Sequence, residues 1–305
     1  MKNLRYYLLK AKDEGFALGS FNFSNLETLQ AITNASVSEN SPVMIAVSES
    51  ALKYMGTYVV GLAKSSKEIN PNIFLHLDHG KSFEVCKQAV DMGFDSVMID
   101  GSHLDFESNI ALTKSVCEYA HARDVLVEGE LGQIKGIEDN VSAEKSYFTD
   151  PEQALEFVQK TGVDSLAISI GTSHGVYKSN ASELRFDILE KIQEKIPQIP
   201  LVLHGASSVG TDQINKFKKS GGILEKAGGI ADHQLQNAAQ KTHIAKVNCD
   251  TDLRLACTSE IRSFLNNNPD KFDPRQYMAK ARENMTMLVQ EKMKKILNSK
   301  DKIEC

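Results

Sequence analysis

Three histidines in this sequence, each followed by a glycine, are side chains of the type that forms a metal site. They are His79 in LDHG, His174 in GTSHG and His204 in LHGAS, and they lie too far apart to form a metal motif on one helix. Three imidazoles with an open fourth position form a catalytic zinc site. A glycine after each histidine allows a ligand to approach the backbone closely. The pattern therefore predicts a metal centre, provided that the fold brings the three histidines together.

Eight short runs rich in Val, Ile and Leu predict the strands that position these histidines. Each run is followed by a stretch with helical spacing, as in residues 25–37, where Leu26, Leu29 and Ile32 share one face. Apolar strands that alternate with helices indicate a parallel sheet covered on both faces. Eight such units in about 250 residues predict an α/β fold of the (β/α)8 TIM-barrel type, with an open doubly wound sheet as the alternative. The predicted strands are residues 17–22, 42–48, 72–78, 95–100, 125–130, 164–169, 200–204 and 243–248.

Three regions depart from this repeat. Residues 133–149 are polar and follow the fifth predicted strand, which predicts a mobile loop. Residues 219–242 contain two Gly-Gly pairs, which predict an insertion before strand eight. Residues 274–298 carry apolar side chains at helical spacing and predict a long C-terminal helix. Because no linker rich in Pro, Gly or Ser interrupts the chain, residues 1–305 are predicted to form a single domain.

A polar or ionisable residue ends each predicted strand or follows it closely. Active sites of TIM barrels lie at the carboxyl ends of the strands, and a buried ionisable group needs a partner or a metal to offset its desolvation. A barrel with only a binding or structural role would not need such a residue on every strand. In strand order they are Asn22, Ser48, Asp78 with His79, Asp100, Glu130, His174, His204, and Asn248 with Asp250.

Glycine-rich turns at the same end of the strands predict a phosphorylated substrate. The turns GTSHGVYK (171–178) and HGASS (204–208) cluster backbone N–H groups and hydroxyls, and the first adds Lys178. Such turns form anion-binding nests. In NCDTDLR (248–254) a helix begins, where Asp250 and Thr251 can cap it and Arg254 lies near the first turn.

The composition limits the class of protein. The chain has 305 residues, of which 41% are hydrophobic and 25% charged, so disorder over its whole length is excluded. No stretch approaches the roughly 18 apolar residues of a membrane span. A net charge of −5 argues against sequence-independent nucleic-acid binding. Five cysteines without a CxxC pair indicate free thiols in a reducing compartment. We therefore expect a cytoplasmic protein with a small-molecule partner and neither a nucleic-acid nor a membrane partner.

The motifs around these residues resemble those of the class II, zinc-dependent fructose-1,6-bisphosphate aldolases over nearly the whole chain. The resemblance implies reversible aldol cleavage of fructose 1,6-bisphosphate to dihydroxyacetone phosphate and glyceraldehyde 3-phosphate in glycolysis and gluconeogenesis, by a homodimer or homotetramer. The insertion and the CDTDLR ending resemble this subclass more than the tagatose-bisphosphate aldolases, which are the alternative. The motifs are FNF (21–23), LDHG (77–80), MIDGS (98–102), VEGELG (127–132), GTSHGVYK (171–178), HGASS (204–208) and KVNCDTDLR (246–254).

The resemblance implies a role for each matching residue in metal binding and proton transfer. Asp78 matches the proton donor and acceptor of the family. The ligands of the catalytic Zn²⁺ would be His79, His174 and His204, and those of a second divalent metal would be Asp100 and Glu130. In much of the family a Gly-Gly precedes the acidic cluster after strand five, whereas this chain has QIKGIEDN. We therefore match Glu138 to the acid/base residue on the loop, with Asp139 as the alternative. A further alternative is that both residues are simply solvated charges on the loop.

The resemblance also implies the substrate contacts. Arg254 would bind the distal phosphate, and Asn22 and Ser48 would line the pocket. Lys178 and the carbonyl groups around it would belong to the phosphate region and to a monovalent-cation site for Na⁺ or K⁺. The dihydroxyacetone-phosphate half would be bound by Gly175, Gly205, Ala206, Ser207, Asn248, Cys249, Asp250 and Thr251.

Two rival chemistries are less well matched by the residues. A Schiff-base route needs a desolvated lysine on a strand, and Lys246 in strand eight is the candidate. A metal hydrolase on the same barrel would usually carry an HxH pair at the end of strand one, where this chain has FNF. His76 alternates with Leu75 and Leu77, and we expect it to be a core histidine beside Asp78, with support of the metal site as the alternative.

Overall fold

The structure, a computed structural model, describes residues 2–138, 141–143, 147–174, 183–224 and 228–304, with the side chains of residues 135–138, 141–143 and 174 outside that description. Within these ranges all eight predicted strands form, and they close into a parallel barrel in chain order, with the last strand pairing with the first. The TIM-barrel prediction is confirmed, and the open-sheet alternative is wrong. The barrel strands are β1 (Leu18–Asn22), β2 (Val43–Ser48), β3 (Ile73–Gly80), β4 (Ser96–Ile99), β5 (Leu126–Leu131), β8 (Ser165–Ile168), β10 (Leu201–Leu203) and β11 (Ile244–Cys249).

Helices follow the strands and cover the outside of the barrel. Every barrel strand is almost fully buried because the interior packs against one face and the helices against the other. The helices are α1 (Leu4–Glu14), α2 (Leu26–Ser38), α3 (Glu49–Met55), α4 (Tyr58–Ile69), α5 (Phe83–Asp91), α6 (Phe106–His121), α7 (Pro151–Thr161), α8 (Phe186–Lys195), α9 (Thr211–Lys219), α10 (Asp232–Lys241), α11 (Thr251–Asn267) and α12 (Pro274–Glu291). Among the described residues, none of the helices is both long and apolar enough to cross a membrane.

The first helix covers the amino end of the barrel. Leu4, Tyr7 and Leu8 of α1 are buried in one cluster with Leu18 and Phe74, near the starts of β1 and β3. That end is therefore filled with apolar side chains. The carboxyl end, where the polar strand-end residues lie, is left as the position for a site.

Residues 133–149 contain strands, so the prediction of a loop there was wrong. β6 (Lys135–Glu138) and β7 (Val141–Ala143) form an antiparallel pair, and β6 also pairs in parallel with β9 (Ser173–His174). The register places Gly136 opposite His174. This small sheet joins the segment after β5 to the segment after β8, so the backbones of Glu138 and His174 belong to one unit.

The predicted insertion and C-terminal helix are both present. Within the described ranges two helices, α9 and α10, lie between β10 and β11, as α3 and α4 do between β2 and β3, whereas one helix lies between the strands of the other units. The helix α12 packs against α2 and α11. It ends at Glu291 and continues as a π-helix over Lys292–Ile296, so the predicted helical segment changes its hydrogen-bond pattern in its last turn.

Candidate active site at the carboxyl end of the barrel

A local break in β3 lets two consecutive residues, Asp78 and His79, face the same site. In a regular strand neighbouring side chains point to opposite faces. Here the β3–β4 register shifts between Leu77 and Gly80, and His79 has a φ of 50°, in the left-handed region. Histidine adopts that region more readily than bulky or β-branched residues do. The bulge is therefore the reason that both groups enter the site.

Two of the three predicted metal-binding histidines lie side by side. The ring centroids of His79 and His204 are 4.5 Å apart in an edge-to-face arrangement. Both rings are buried, and ligand atoms of Asp78, His79 and His204 lie within 4.8 Å of one another. The barrel thus brings together donors that the sequence separates by more than a hundred residues.

A carboxylate bonds one ring nitrogen of each histidine. His79 Nδ1 donates to Asp100 Oδ2 at 3.0 Å, and His204 Nε2 donates to Glu128 Oε1 at 2.6 Å. These bonds orient the two rings, so a metal would be bound through His79 Nε2 and His204 Nδ1. A carboxylate on the second ring nitrogen is the usual support of a metal-binding histidine.

Asp78 is held by two amides. Asn22 Nδ2 donates to Asp78 Oδ2 at 2.7 Å, and Asn248 Nδ2 donates to Asp78 Oδ1 at 2.8 Å. Burial acts to raise the pKa of Asp78, but the charges of His79 and His204 outweigh it and lower the pKa. The carboxylate is therefore ionised, fixed in orientation, and ready to accept a proton.

A second buried cluster surrounds His79. Ligand atoms of His79, Asp100 and Glu130 lie within 4.8 Å of one another. Burial raises the pKa of Glu130 well above its usual range, and the Asp100 carboxylate raises it further. Glu130 Oε2 is buried and has no hydrogen-bond partner among the described residues. Burial by itself would lower the pKa of His79, but the hydrogen bond with Asp100 and the surrounding carboxylates raise it to about 10. The cluster therefore favours additional positive charge.

Three further residues, Lys246, Glu128 and His76, support the site from inside the barrel, and of these the sequence suggested a supporting role only for His76, as an alternative. Lys246 Nζ donates to Glu128 Oε2 at 2.7 Å and lies 3.0 Å from His76 Nε2, and His76 Nδ1 bonds Ser96 Oγ at 2.7 Å. His76 is indeed buried in the core, as predicted, but as part of this chain of bonds. Each of the three precedes a predicted site residue by two positions, and that spacing is the signal that could have revealed them.

The mouth of the barrel contains a cleft of about 270 Å³ beside these clusters. Of the predicted substrate contacts, Asn22, Ser48, Asp250 and Arg254 line this cleft. Arg254 forms a two-point contact with Asp250, through Nε at 2.8 Å and a terminal nitrogen at 2.7 Å. Asp250 occupies the N-cap position of α11 but makes no side-chain cap, so the predicted capping role of this residue was wrong.

The remaining predicted substrate contacts lie on two segments of the same end. Gly205, Ala206 and Ser207 follow β10, and the backbone of Gly205 is left-handed with a φ of 59°. Asn248, Cys249 and Thr251 span the end of β11 and the start of α11, and all are buried. The loop after β10 contacts the start of α11, where the Val209 N–H donates to Asp252 Oδ1 at 2.8 Å.

Some predicted residues lie outside the described residues. These are Gly175, Lys178 and Asp139, together with the side chains of Glu138 and His174.

The role predicted for Gly80, the glycine after His79, was wrong. A Cβ at Gly80 would lie 2.8 Å from both Cys86 Sγ and the Met98 carbonyl oxygen, so this glycine allows close packing of protein on protein rather than the approach of a ligand.

Comparisons with known proteins agree with the fold. Residues 2–302 match the family described as "Fructose-bisphosphate aldolase class-II". A fructose-bisphosphate aldolase of Treponema pallidum (strain Nichols) is 46% identical, over 97% of this chain and 96% of its own length. One of Thermus caldophilus is 43% identical, over 94% of each chain. Among solved structures, the YdjI aldolase from Escherichia coli K12 superposes with a TM-score of 0.81 and 30% identity, over 99% of both chains.

Proposed function

Because the chain belongs to the class II fructose-bisphosphate aldolase family, whose members are metal-dependent aldehyde-lyases, we propose that it reversibly cleaves fructose 1,6-bisphosphate to dihydroxyacetone phosphate and glyceraldehyde 3-phosphate. The observation that carries the proposal is the buried group of Asp78, His79 and His204 at the carboxyl end of the barrel. It offers an ionised carboxylate and two oriented imidazoles beside the cleft at the mouth.

The residues fit a catalytic zinc ion. His79, His204 and His174 would hold it, and zinc binds imidazole nitrogens readily. The fit is supported by the fixed orientation of the His79 and His204 rings and by the buried carboxylates around them, which favour a bound cation. A zinc ion bound there would supply Lewis-acid stabilisation of the negative charge that develops on substrate oxygens.

Two further cation sites follow from the same prediction. Asp100 and Glu130 would bind a second divalent metal, supported by the buried Glu130 oxygen without a hydrogen-bond partner among the described residues. The Na⁺ or K⁺ site around Lys178 stays a prediction, because it falls outside the described residues.

Asp78 would perform the proton transfer that accompanies cleavage. Breaking the C3–C4 bond requires loss of the proton from the C4 hydroxyl, and Asp78 would accept it and return it in the condensation direction. The amides of Asn22 and Asn248 hold the carboxylate at one orientation for this step. Glu138, or Asp139 in its place, would add a proton to C3, the carbon of the dihydroxyacetone-phosphate half that keeps the electron pair of the broken bond.

The substrate phosphates would be bound at the two sides of the mouth. Backbone N–H groups of glycine-rich turns favour anions, so residues 205–207, Gly175 and the segment from Asn248 to Thr251 would bind the dihydroxyacetone-phosphate half. Arg254 would bind the far phosphate from the cleft, where its guanidinium already makes a two-point contact with a carboxylate.

The lysine route has little support. A Schiff-base lysine needs a free amine that reaches the substrate. Lys246 is fully buried, and its amine is bonded to Glu128 and His76 beneath the site. Tagatose bisphosphate is also not favoured, because curated relatives at 41–46% identity are named fructose-bisphosphate aldolases. A metal hydrolase is the least supported alternative.

The test is cleavage of fructose against tagatose bisphosphate, each with and without a chelator. We expect fructose 1,6-bisphosphate to be cleaved at the higher kcat/KM and the chelator to abolish cleavage of both sugars. A preference for the tagatose sugar, or cleavage of neither, would overturn the proposed substrate.

We also propose that the protein works in the cytoplasm as a homodimer or homotetramer. The location is supported by the thiols of Cys86, Cys117, Cys249 and Cys257, none of which forms a disulfide among the described residues. The oligomeric state follows from the family resemblance alone, and a sedimentation measurement would decide it.

A further inference from the structure

A buried lysine outside the proposed chemistry, Lys292, lies behind the mouth of the barrel. It is the first residue of the π-helix that ends α12, and it is 3% exposed. Single π-turns are uncommon and often occur at functional sites. Burial by itself would lower the pKa of Lys292, but the charge of Asp252 outweighs it and raises the pKa, so the amine is charged.

The Lys292 amine contacts two segments of the mouth at once. Nζ lies 3.0 Å from Asp252 Oδ2 in the first turn of α11 and donates to Ser208 Oγ at 2.9 Å in the loop after β10. Asp252 Oδ1 in turn accepts a hydrogen bond from the backbone N–H of Val209 at 2.8 Å. One ammonium group therefore connects α12, α11 and the loop.

The connected loop is held in a conformation that it would not adopt readily by itself. Val209 has a φ of 30°, and a β-branched residue in the left-handed region is a strained one. The bond from its N–H to Asp252 keeps it there, and Lys292 fixes Asp252. Gly205, Ala206 and Ser207, which are predicted to bind substrate, lie in the same loop, two to four positions before Val209.

We propose that Lys292 is a positioning residue for the phosphate-binding site of the dihydroxyacetone-phosphate half. This inference rests on the proposed function. The lysine holds the loop after β10 and the start of α11 at a fixed separation, so that the N–H groups of both segments converge on one phosphate. It does so from behind the site, through Ser208 and Asp252.

Stability by itself does not account for this ion pair. A buried salt bridge can often be replaced by apolar residues of similar size without loss of stability, because the desolvation of both charges offsets their attraction. An apolar pair, however, could not form the two hydrogen bonds that this pair makes with the loop. The Lys292 amine bonds the Ser208 hydroxyl, and the Asp252 carboxylate accepts from the Val209 N–H. The polar pair fixes the loop conformation in a way that packing could not.

The test compares variants of the zinc-loaded full chain. Lys292→Met is combined with Asp252→Asn, so that no uncompensated charge stays buried, and Ser208→Ala is a milder variant that removes one hydroxyl. The control is Lys294→Met on the same π-helix, whose amine pairs at 2.8 Å with the buried Glu39 at the end of α2, away from the mouth. For each protein we would measure the Kd of dihydroxyacetone phosphate by calorimetry, KM and kcat for fructose 1,6-bisphosphate, zinc content and the unfolding midpoint.

We expect the double variant to raise Kd and KM about tenfold, which is less than the roughly 10²-fold loss that a 1 Å misplacement of reacting groups can cause. Its kcat should change by less than about threefold, because Lys292 does not touch the reacting atoms. Ser208→Ala should raise Kd in the same direction by less, and Lys294→Met should leave Kd unchanged whatever its unfolding midpoint.

Two results would overturn the inference while leaving the proposed function intact. One is an unchanged Kd in a double variant that folds and binds zinc or, if that variant does not fold, in Ser208→Ala. The other is an equal rise of Kd in Lys294→Met, which would assign the effect to general stability. A wild-type protein that neither binds dihydroxyacetone phosphate nor cleaves the bisphosphate would overturn the proposed function, and the inference with it.

Discussion

At the scale of single residues, the site depends on how Asp78 is held. Two amide donors fix its carboxylate, and the two neighbouring histidines lower its pKa. A carboxylate whose orientation and charge are both set before substrate binds is suited to proton transfer. The two histidines beside it, which are proposed to bind the metal, would remain if it were removed.

Replacement of Asp78 by alanine should therefore separate binding from turnover. We expect zinc to stay bound, because the histidines are untouched, and kcat to fall by roughly 10²–10⁴-fold, as on loss of a positioned acid/base. Metal analysis and steady-state kinetics check both points. The control is Asp95→Ala, which removes an aspartate that bonds Lys67 and the Leu75 N–H at the amino end of the barrel. Turnover by Asp78→Ala within a few-fold of wild type would remove Asp78 from the mechanism.

Arg254 should matter only for substrates with a far phosphate. A guanidinium binds phosphate through two parallel hydrogen bonds. Arg254→Ala should thus cost about 2–3 kcal/mol in kcat/KM for fructose 1,6-bisphosphate. It should leave fructose 1-phosphate almost unaffected. The control is Arg262→Ala on the same helix, whose guanidinium donates to the Gly221 carbonyl and lies over the Phe217 ring. Equal losses on both substrates would mean that Arg254 acts through folding or the general pocket.

At this scale the sequence predicted the strand-end residues but not their supports. The apolar runs ended at recognisable polar residues, so Asp78 and Asn248 could be placed directly. Glu128 was not considered as a site residue and Lys246 only as a Schiff-base candidate, because a charged residue inside a buried strand has no visible partner until the barrel closes. Their contact joins residues 118 positions apart.

At the scale of elements, the loop after β10 is shaped by the insertion between β10 and β11. Gly229, in the second Gly-Gly pair of that insertion, lies against the loop, and a Cβ there would come 1.9 Å from the Ser208 carbonyl oxygen. The Ile230 N–H donates to the Ser207 carbonyl at 3.3 Å. The insertion therefore packs closely against the loop after β10 on one side, and Lys292 bonds Ser208 of the same loop.

Gly229→Ala should displace that loop. The added methyl group meets backbone atoms that cannot rotate away, so we expect a loss of about 1–3 kcal/mol in unfolding free energy, as in overpacked sites. We also expect a raised KM for fructose 1,6-bisphosphate. Denaturant unfolding and kinetics measure the two effects. In Gly61→Ala, on the exposed face of α4, the added methyl group has open space and should not destabilise the chain. An unchanged KM in Gly229→Ala would show that the loop does not depend on this contact.

The small sheet of β6, β7 and β9 shows why some elements could not be predicted. Its strands are two to four residues long and lie in a polar segment. Neither the apolar runs nor the alternation that indicates a strand is present there. The partner of β6 is a segment far along the chain, so its pairing depends on a barrel that already brings both segments to one end.

At the scale of the whole molecule, the barrel was predictable because each unit repeats the same pattern. Eight apolar runs, each with a helix after it, leave few topologies, and a closed parallel barrel buries every strand on both faces. The single-domain organisation stays a prediction, supported by the packing of α12 on α2 and α11. The pattern could not predict that the end of α12 and the insertion both contact the loop after β10, at the mouth of the barrel.

The central claim is that this barrel cleaves its substrate through a metal held by histidines from different strands. The most direct measurement is the rate of fructose 1,6-bisphosphate cleavage by metal-free protein during titration with zinc. The account predicts almost no activity without metal, recovery as zinc is added, and no trapping of substrate by borohydride. Full activity in metal-free protein, or a covalent adduct after borohydride treatment, would contradict it.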